Sequence, residues 1–509
     1  MVCDHATRID QHSGESGGRR PWGVLTAFAM AFFTLFALLL PGVSSAHADA
    51  DENPSGDGAV AGRTFRVATD TTFAPFEFRD SSGQMVGIDM DLMREIAKRE
   101  GFDVEIQSLG FNAALQALSS NQVDAVIAGM SITDQRKQVY DFTDPYFQSG
   151  VQMAVAKNNE DVHSYEDLRG RTVAVKTGSE GEAYAKSIQE QYGFKIDGVD
   201  QSATMYEKVK SGNAVAVIDD YPVLAYGIAQ NNGLKTVTDK VPGGDYGVAV
   251  NKGMNADFVD AFNRGLASIR QDGEYQRIID HYLADPEANA AGQGGLLQLA
   301  KQAFPALMLG LRNTVIITLI SFAVAMVLGF GFGLMRVGTS RVLDWIAKIF
   351  VGVFRGTPLL VWAFFFYFGV PQLIGHPVNI WVAGVLTLAL NSGAYITEII
   401  RGAVGSVDSG QLEAARSLGL GYSKSMQRVV LPQAVKIATP SLINQLVIMV
   451  KDSSLLLAIG FGELLYQGQQ IYAANFRVTE TLLLVAIIYL VAITLLTWLA
   501  NVIDRRINR

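Results

Sequence analysis

The chain has 509 residues, 49% of them hydrophobic and 18% charged, with a formal net charge of -8. Residues 1–300 hold 25 Lys+Arg against 41 Asp+Glu, whereas residues 301–509 hold 16 against 8. The first part has the polar density of a soluble acidic protein and the second is too poor in charge to be one, so a disordered chain, a collagen-like chain and a simple soluble enzyme are excluded. Net positive charge is confined to the apolar part, which argues against a nucleic-acid partner. The one cysteine, Cys3, permits no intrachain disulfide and no zinc cluster, and no metal site is expected.

Arg19 and Arg20 precede an apolar run from Trp22 to Leu40, followed by Pro41-Gly42 and the small residues Ala46-His47-Ala48. A positive segment, an apolar segment and an A-x-A site make residues 1–48 a secretory signal, either cleaved or kept as an anchor. Both outcomes export the chain from residue 49 onward. Residues 49–61, rich in Asp, Gly, Ser and Ala, are expected to be a linker.

From Arg63 onward, short β-branched runs such as "FRVATD", "TVAVKT" and "AVAVIDD" alternate with amphipathic stretches such as "MDLMREIAKREG". That alternation predicts parallel α/β units, and residues 62–286 are long enough for two small lobes. Extended segments near residues 150 and 245 are expected to cross between the lobes. Lobe one would hold 63–150 and 250–286, lobe two 157–243, with a ligand cleft between them.

Residues 287–300 are expected to be a second linker, and 301–509 a membrane domain. Apolar stretches near 312–335, 348–370, 378–400, 437–460 and 481–503 are each about the length of a spanning helix, predicting five spans. With the first domain outside, the cytoplasmic loops carry Arg336, Arg341, Lys348, Arg401, Arg416, Lys424, Arg428, Lys436, Arg505, Arg506 and Arg509, while the external loops carry Arg477. This asymmetry fits the positive-inside rule, and the location expected is the cell membrane with the binding domain extracytoplasmic.

The blocks "VATDTTFAPFEF", "VGIDMDLMREIAK", "AGMSITDQRKQVYDFTDPYF", "DLRGRTVAVKTGSEGEAYAK" and "AVIDDYPVLAY" resemble, in order and spacing, the polar amino-acid binding proteins of ATP-binding-cassette importers. The second half resembles the permeases of the same importers through "FRGTPLL", "LNSGAYITEIIRGA", "EAARSLGLGYSKSMQRVVLPQA" and "VKDSSLL". The resemblance implies a two-lobed α/β periplasmic-binding-protein fold followed by an all-α, five-span domain of the type I importer permeases.

A free amino acid in a closed cleft needs partners for its carboxylate and its ammonium, because an unpaired charge out of water is very costly. Arg136 offers a planar fork for the carboxylate, with Gly129 and Ser131 of "AGMSIT" able to add contacts. Asp220, ending a predicted buried strand, suits the ammonium. Thr177 and Gly178 are read as beginning a helix whose free N–H groups suit a carboxylate. By resemblance, Phe73 and Phe111 cover the ligand side chain, and Asp70 and Lys176 contact a side-chain amide. One donor plus one acceptor suits glutamine; asparagine, histidine and basic amino acids stay open. Two positions depart from the glutamine-binding pattern: Asp219 stands where histidine is usual, and Glu180 where glycine often sits. Their negative charge at the pocket rim is expected to disfavour glutamate.

In the long cytoplasmic loop, Glu413, Ala414, Ala415, Gly419, Leu431 and Pro432 match the spacing of the permease motif that engages the ATPase. The expected shape is a short helix stopped by Gly419, then a second turn before Pro432, forming a knob for a groove on another protein. No GxxxxGK[ST] loop occurs in the sequence. The chain is therefore expected to have no enzymatic activity and no cofactor of its own, with ATP and Mg used by a cytoplasmic ATPase dimer. Its other expected partners are a polar amino acid, membrane lipid and a second permease copy. The alternative, an amino-acid-gated channel of the glutamate-receptor type, would split its lobes around a pore and carry a selectivity filter.

Overall fold

The computed structural model describes residues 60–80, 84–283 and 295–507, with side chains as far as 502. The secretory signal and nearly all of the linker 49–61 lie outside the described residues.

Residues 62–283 form two α/β lobes. In the first sheet, Thr64–Thr69 pairs in parallel with Asp103–Ser108 on one side and Ala125–Val126 on the other, followed by Ala249–Asn251 and Tyr140–Phe142. In the second, Thr172–Lys176 lies in parallel between Lys195–Val199 and Ala216–Asp220, and the long strand Phe147–Ala156 runs antiparallel to Ala216–Asp220, Leu234–Thr236 and Val241–Tyr246. The β-branched runs read from the sequence are these buried strands: Ala216–Asp220 is buried at every position, as expected of a strand covered on both faces. Amphipathic helices cover the sheets. Ile88–Glu100 turns Ile88, Met90, Leu92, Met93 and Ile96 inward, and packs on Ala256–Gln271.

The chain crosses between lobes twice, as the extended segments predicted, but the boundary moves. Phe147–Ala156 belongs wholly to the second sheet, so the second lobe begins near 147 rather than after 150, and Val241–Tyr246 carries it to 246. Backbone pairing along ten residues decides the matter, and hydrophobic pattern alone cannot.

Among the described residues the membrane half has four long apolar helices, Leu296–Val337, Ile380–Gly405, Tyr422–Ile459 and Val478–Val502, plus one bent pair. The expected linker 287–300 is thus partly helical: residues 287–294 lie outside the described residues, and the helix already begins at Leu296. The predicted straight span 348–370 is instead two helices, Arg341–Gly356 and Leu359–Ile374, meeting at 100°. The cause is local. Pro358 has no N–H and crowds the residue before it, and Thr357 is accordingly extended at φ -114°, ψ 134°.

Leu296–Val337 has 42 residues, about 60 Å at 1.5 Å per residue, twice what a bilayer core needs. Its first turns lie beside the binding domain, where Leu299 and Ala303 share a cavity with Arg79 and Asp80. At its far end the Val337 carbonyl accepts from the Tyr422 hydroxyl at 3.4 Å. The binding domain and the motif loop therefore sit at opposite ends of this helix.

Candidate functional site

The candidate site lies where strands of both lobes end, the usual place for a ligand in open α/β sheets. Asp70 follows Thr64–Thr69, Lys176 ends Thr172–Lys176 and Asp220 ends Ala216–Asp220. Between the lobes remains a void of about 10 Å³ lined by Phe73, Phe111, Gly129, Ser131, Arg136, Lys176 and Asp220, together with Ala128, Ser179 and Glu180. Seven of the ten residues named from the sequence thus face one small space.

Arg136 sits in the one-turn helix Asp134–Lys137, fixed by the Thr133 hydroxyl accepting its N–H at 3.2 Å. Its guanidinium donates to the Ser131 carbonyl of lobe one at 2.8 Å and to the Gly178 carbonyl of lobe two at 2.7 Å, and lies 5.4 Å from the Phe111 ring centroid. Burial lowers its pKa below the ordinary guanidinium value, opposed by Asp220 and Glu180. Lys176 donates to the Asp70 carboxylate across the lobes and stands 4.2 Å from the Phe73 ring centroid. Burial pushes its ammonium pKa down, and Asp70, with Glu77 and Asp219, more than offsets this, so Lys176 is held above its usual value. Asp70 does not line the void; its contact there is Lys176.

Asp220 is 2% exposed and accepts from the Tyr246 hydroxyl. Burial, then Asp219 and Glu180, push its carboxyl up to about 8. Its other oxygen has no hydrogen-bond partner, leaving an acceptor for an incoming donor.

Three expectations change. Thr177 and Gly178 do not begin the helix: it starts at Glu180 with Ser179 as N-cap, its hydroxyl accepting the Glu182 N–H at 3.1 Å. The Thr177 N–H donates to the Val199 carbonyl and the Gly178 N–H to Glu182, so both groups are already used, and Gly178 contributes its carbonyl to Arg136. Asp219 is not at the pocket rim. Side chains alternate along a strand, and with Asp220 facing the void, Asp219 accepts from the Tyr206 hydroxyl at 2.7 Å on the helix Ser202–Lys210. The Gly129 N–H is likewise taken, by Asp89 at 2.8 Å.

Other participants were missed by sequence reasoning. Asp89 also accepts from the Tyr146 hydroxyl at 2.9 Å, and burial raises its carboxyl to about 6. Glu77, wholly buried beside it, is pushed well above the carboxylate range by burial and by Asp89. Asp89 fixes Gly129, whose φ of +51° and closeness to Phe73, 2.4 Å from where a Cβ would sit, admit only glycine. Glu180, noted only as a departure, accepts from the Ser131 hydroxyl and the Gly244 N–H, joining both lobes. The bulge in Val241–Tyr246 between Pro242 and Asp245 is the signal that a backbone N–H is re-aimed there.

The arrangement can enclose a small zwitterion: a planar cation, a buried carboxylate with a spare oxygen, and two aromatic faces converge. Within the membrane half, a cavity of about 530 Å³ is lined by Arg355, Asn391, Tyr395, Gln445 and Asp452 among others. Glu398 pairs with Arg336 at 3.2 Å and Arg401 at 2.7 Å.

In the motif loop, Ser409–Ser417 is a helix with Asp408 as N-cap, and Gly419 follows in the left-handed region at φ +85°. Glu413, Ala414, Gly419 and Pro432 are exposed, Leu431 is half-buried and Ala415 is buried. The second turn expected before Pro432 is no separate part of a knob. It is the start of the helix that runs from Tyr422 to Ile459, and the π-turn Met426–Val430 directly ahead of Pro432 is where the helix adjusts to a residue with no N–H.

Residues 65–285 match the bacterial extracellular solute-binding proteins, family 3, and residues 325–509 match the binding-protein-dependent transport system inner membrane component. The membrane half is 37% identical over 204 residues to the arginine transport system permease protein ArtQ of Bacillus subtilis (strain 168), covering 40% of this chain and 93% of that protein. It is 38% identical over 207 residues to the glutamine transport system permease protein GlnP of Escherichia coli (strain K12), covering 40% and 94%. The binding half is 38% identical to the solved substrate binding domain 2 of Lactococcus lactis GlnP in open conformation, with a TM-score of 0.36, covering 46% of this chain and 97% of that one. The chain belongs to the binding-protein-dependent transport permeases, as a membrane protein with an extracytoplasmic family 3 solute-binding domain fused ahead of its permease domain.

Proposed function

We propose that this chain captures a polar amino acid, glutamine first, and passes it through its own permease domain in an ATP-driven importer. The observation that carries this is the convergence of Arg136 and Asp220 on one interlobe void between Phe73 and Phe111. The fork of Arg136 suits an α-carboxylate, and the unpartnered oxygen of Asp220 suits an α-ammonium. Lys176, held from behind by Asp70, supplies a donor at the void for the carbonyl of a side-chain amide, and the permease relative named for glutamine supports that ranking. The relative named for arginine keeps a basic ligand as the second choice. Glu180 at the void disfavours glutamate by charge repulsion.

Hydrolysis belongs to a separate cytoplasmic ATPase dimer, which uses ATP and Mg and docks on Glu413, Ala414, Ala415, Gly419, Leu431 and Pro432. Exposure of Glu413, Ala414, Gly419 and Pro432 supports this reading. Two copies of the chain pair in the bilayer, since five spans are few for a pathway. Nothing favours the channel reading: the lobes precede the first span, and the permease family matches residues 325–509.

Calorimetric titration of the twenty amino acids onto the purified full-length chain tests the ligand. Glutamine binding tightest is the expected result, and no binding by any amino acid would overturn the proposal. ATP-dependent uptake into proteoliposomes, against ligand-evoked conductance, separates importer from channel.

A further inference from the structure

Glu77 and Asp89 meet behind the first-lobe wall of the cleft. Phe73, which lines the void, turns back on Glu77: the Phe73 N–H donates to the Glu77 carbonyl at 3.0 Å, and the Glu77 N–H to the Phe73 carbonyl at 3.3 Å. The helix Ile88–Glu100 docks on the same turn, with the Ile88 N–H on the Pro75 carbonyl at 3.0 Å and the Asp89 N–H on the Phe76 carbonyl at 2.9 Å. Gly87 permits that approach, since a Cβ there would lie 2.2 Å from the Phe76 carbonyl oxygen and 2.9 Å from the Glu77 nitrogen. The two side chains are thereby brought within hydrogen-bonding reach of each other, and both residues are 0% exposed.

Their oxygens are used unequally. Asp89 Oδ2 accepts the Gly129 N–H at 2.8 Å and the Tyr146 hydroxyl at 2.9 Å, whereas Asp89 Oδ1 and both side-chain oxygens of Glu77 accept from no donor among the described residues. Two adjacent buried anions with only those two donors would be very costly. A single proton removes the difficulty, because it cancels one charge and supplies the donor that the facing oxygens lack. It belongs on Glu77, since the donors on Oδ2 favour the charge on Asp89. The surrounding groups agree. Burial, then Asp89 and Asp70, push the Glu77 carboxyl up, and the opposing Lys176 is already paired with Asp70. Tyr146 is held in its protonated, donating form by burial and by the two carboxyls.

We propose that Glu77 and Asp89 share one proton, the Glu77 carboxyl donating to Asp89 Oδ1, and that this pair positions the first-lobe wall of the cleft. The proposal rests on reading the cleft as an amino-acid site. Neither carboxyl lines the void, so both are positioning residues. Glu77 acts through the turn that carries Phe73, and Asp89 through Gly129. Asp89 also acts through Tyr146, whose N–H donates to the Tyr246 carbonyl at 2.9 Å while the Tyr246 hydroxyl donates to Asp220. One buried proton thus holds the aromatic wall, the cleft glycine and the support of Asp220 in register.

The test uses the full-length chain in nanodiscs. Infrared difference spectra between wild type and Glu77→Gln at neutral pH should show the carbonyl stretch of one protonated carboxyl in the wild type alone. Glu77→Met is close in size but has no donor, and it should weaken glutamine about tenfold or more, as a buried acceptor left without its donor does. Glu77→Gln, whose amide donates as the carboxyl does, should recover most of that loss. Three results would overturn the pair. The first is a spectrum from which Glu77→Gln removes no carboxyl band, and this decides even where Glu77→Met fails to fold. The second is Glu77→Gln binding as weakly as Glu77→Met. The third is a melting temperature that rises with added sodium or calcium in wild type and not in Glu77→Gln, which would put a cation in the place of the proton. Calorimetry separates the two readings. If no amino acid binds the wild type, the amino-acid site falls and the positioning role with it; if glutamine binds and no band is lost, the shared proton alone falls.

Discussion

Lys176, at the end of a second-lobe strand, donates to Asp70, at the end of a first-lobe strand, with their side chains 3% and 1% exposed. This ion pair crosses the cleft and is almost wholly removed from water. Breaking such a pair by deleting one partner costs about 3 to 5 kcal/mol, because the other charge is stranded.

Lys176→Ala should therefore weaken closure on every ligand, and weaken glutamine more than alanine or serine, since only glutamine offers an amide to the lost ammonium. Lys176→Met with Asp70→Leu should recover part of the general loss without recovering the preference. Calorimetric titration of the three amino acids on both variants checks this; equal losses for all three would remove Lys176 from the side-chain pocket.

Arg136→Ala should abolish binding while leaving the fold intact. Its guanidinium ties the Ser131 and Gly178 carbonyls of opposite lobes, and its loss would leave a ligand carboxylate unpaired at about 3 to 5 kcal/mol, more than a hundredfold in affinity. A binding isotherm and a thermal scan suffice to check it. Near-normal affinity would exclude Arg136 from the site.

Affinity should fall as pH drops below about 8, because protonation of Asp220 removes the partner of a ligand ammonium. The limiting slope is about tenfold per pH unit. Asp219→Asn should move the fall to lower pH, since Asp219 is one cause of the upward shift. For stability the sign is opposite: Asp89, Asp219 and Asp220 keep protons in the folded domain that the unfolded chain has already released. The stability these protons contribute is therefore full below the ordinary carboxylate range and is lost as pH rises from there through their folded values of about 6 to 8. Titrations and melting curves across that range would show the two opposite trends.

Gly419→Arg should uncouple ATP hydrolysis from uptake with ligand affinity unchanged within twofold. At φ +85° a side chain strains the turn, and Leu418 beside it is 85% exposed, so a bulky cation would also alter the presented surface. Ligand-stimulated hydrolysis and uptake by the reconstituted complex measure the effect; unchanged values for both would show that coupling lies elsewhere.

The strand and helix alternation, the two crossings and the apolar helices were legible in the sequence because each is a local pattern, and hydrophobic periodicity reports which face of a segment is buried. The ordered blocks singled out Arg136, Asp220, Phe73 and Phe111, which the fold gathers on one void. What a buried group pairs with was not legible, since a partner tens to hundreds of residues away leaves no local signal. Asp89 beneath Gly129, Glu180 between Ser131 and Gly244, and Tyr466 on Ser108 are of this kind. The same reason separates Asp219 from Asp220: a run of two carboxylates looks like one acidic spot, and only the strand's pairing decides which enters the cleft and which turns to Tyr206. Pro358 lies inside the stretch read as one span, and the helix it breaks turns by 100° there.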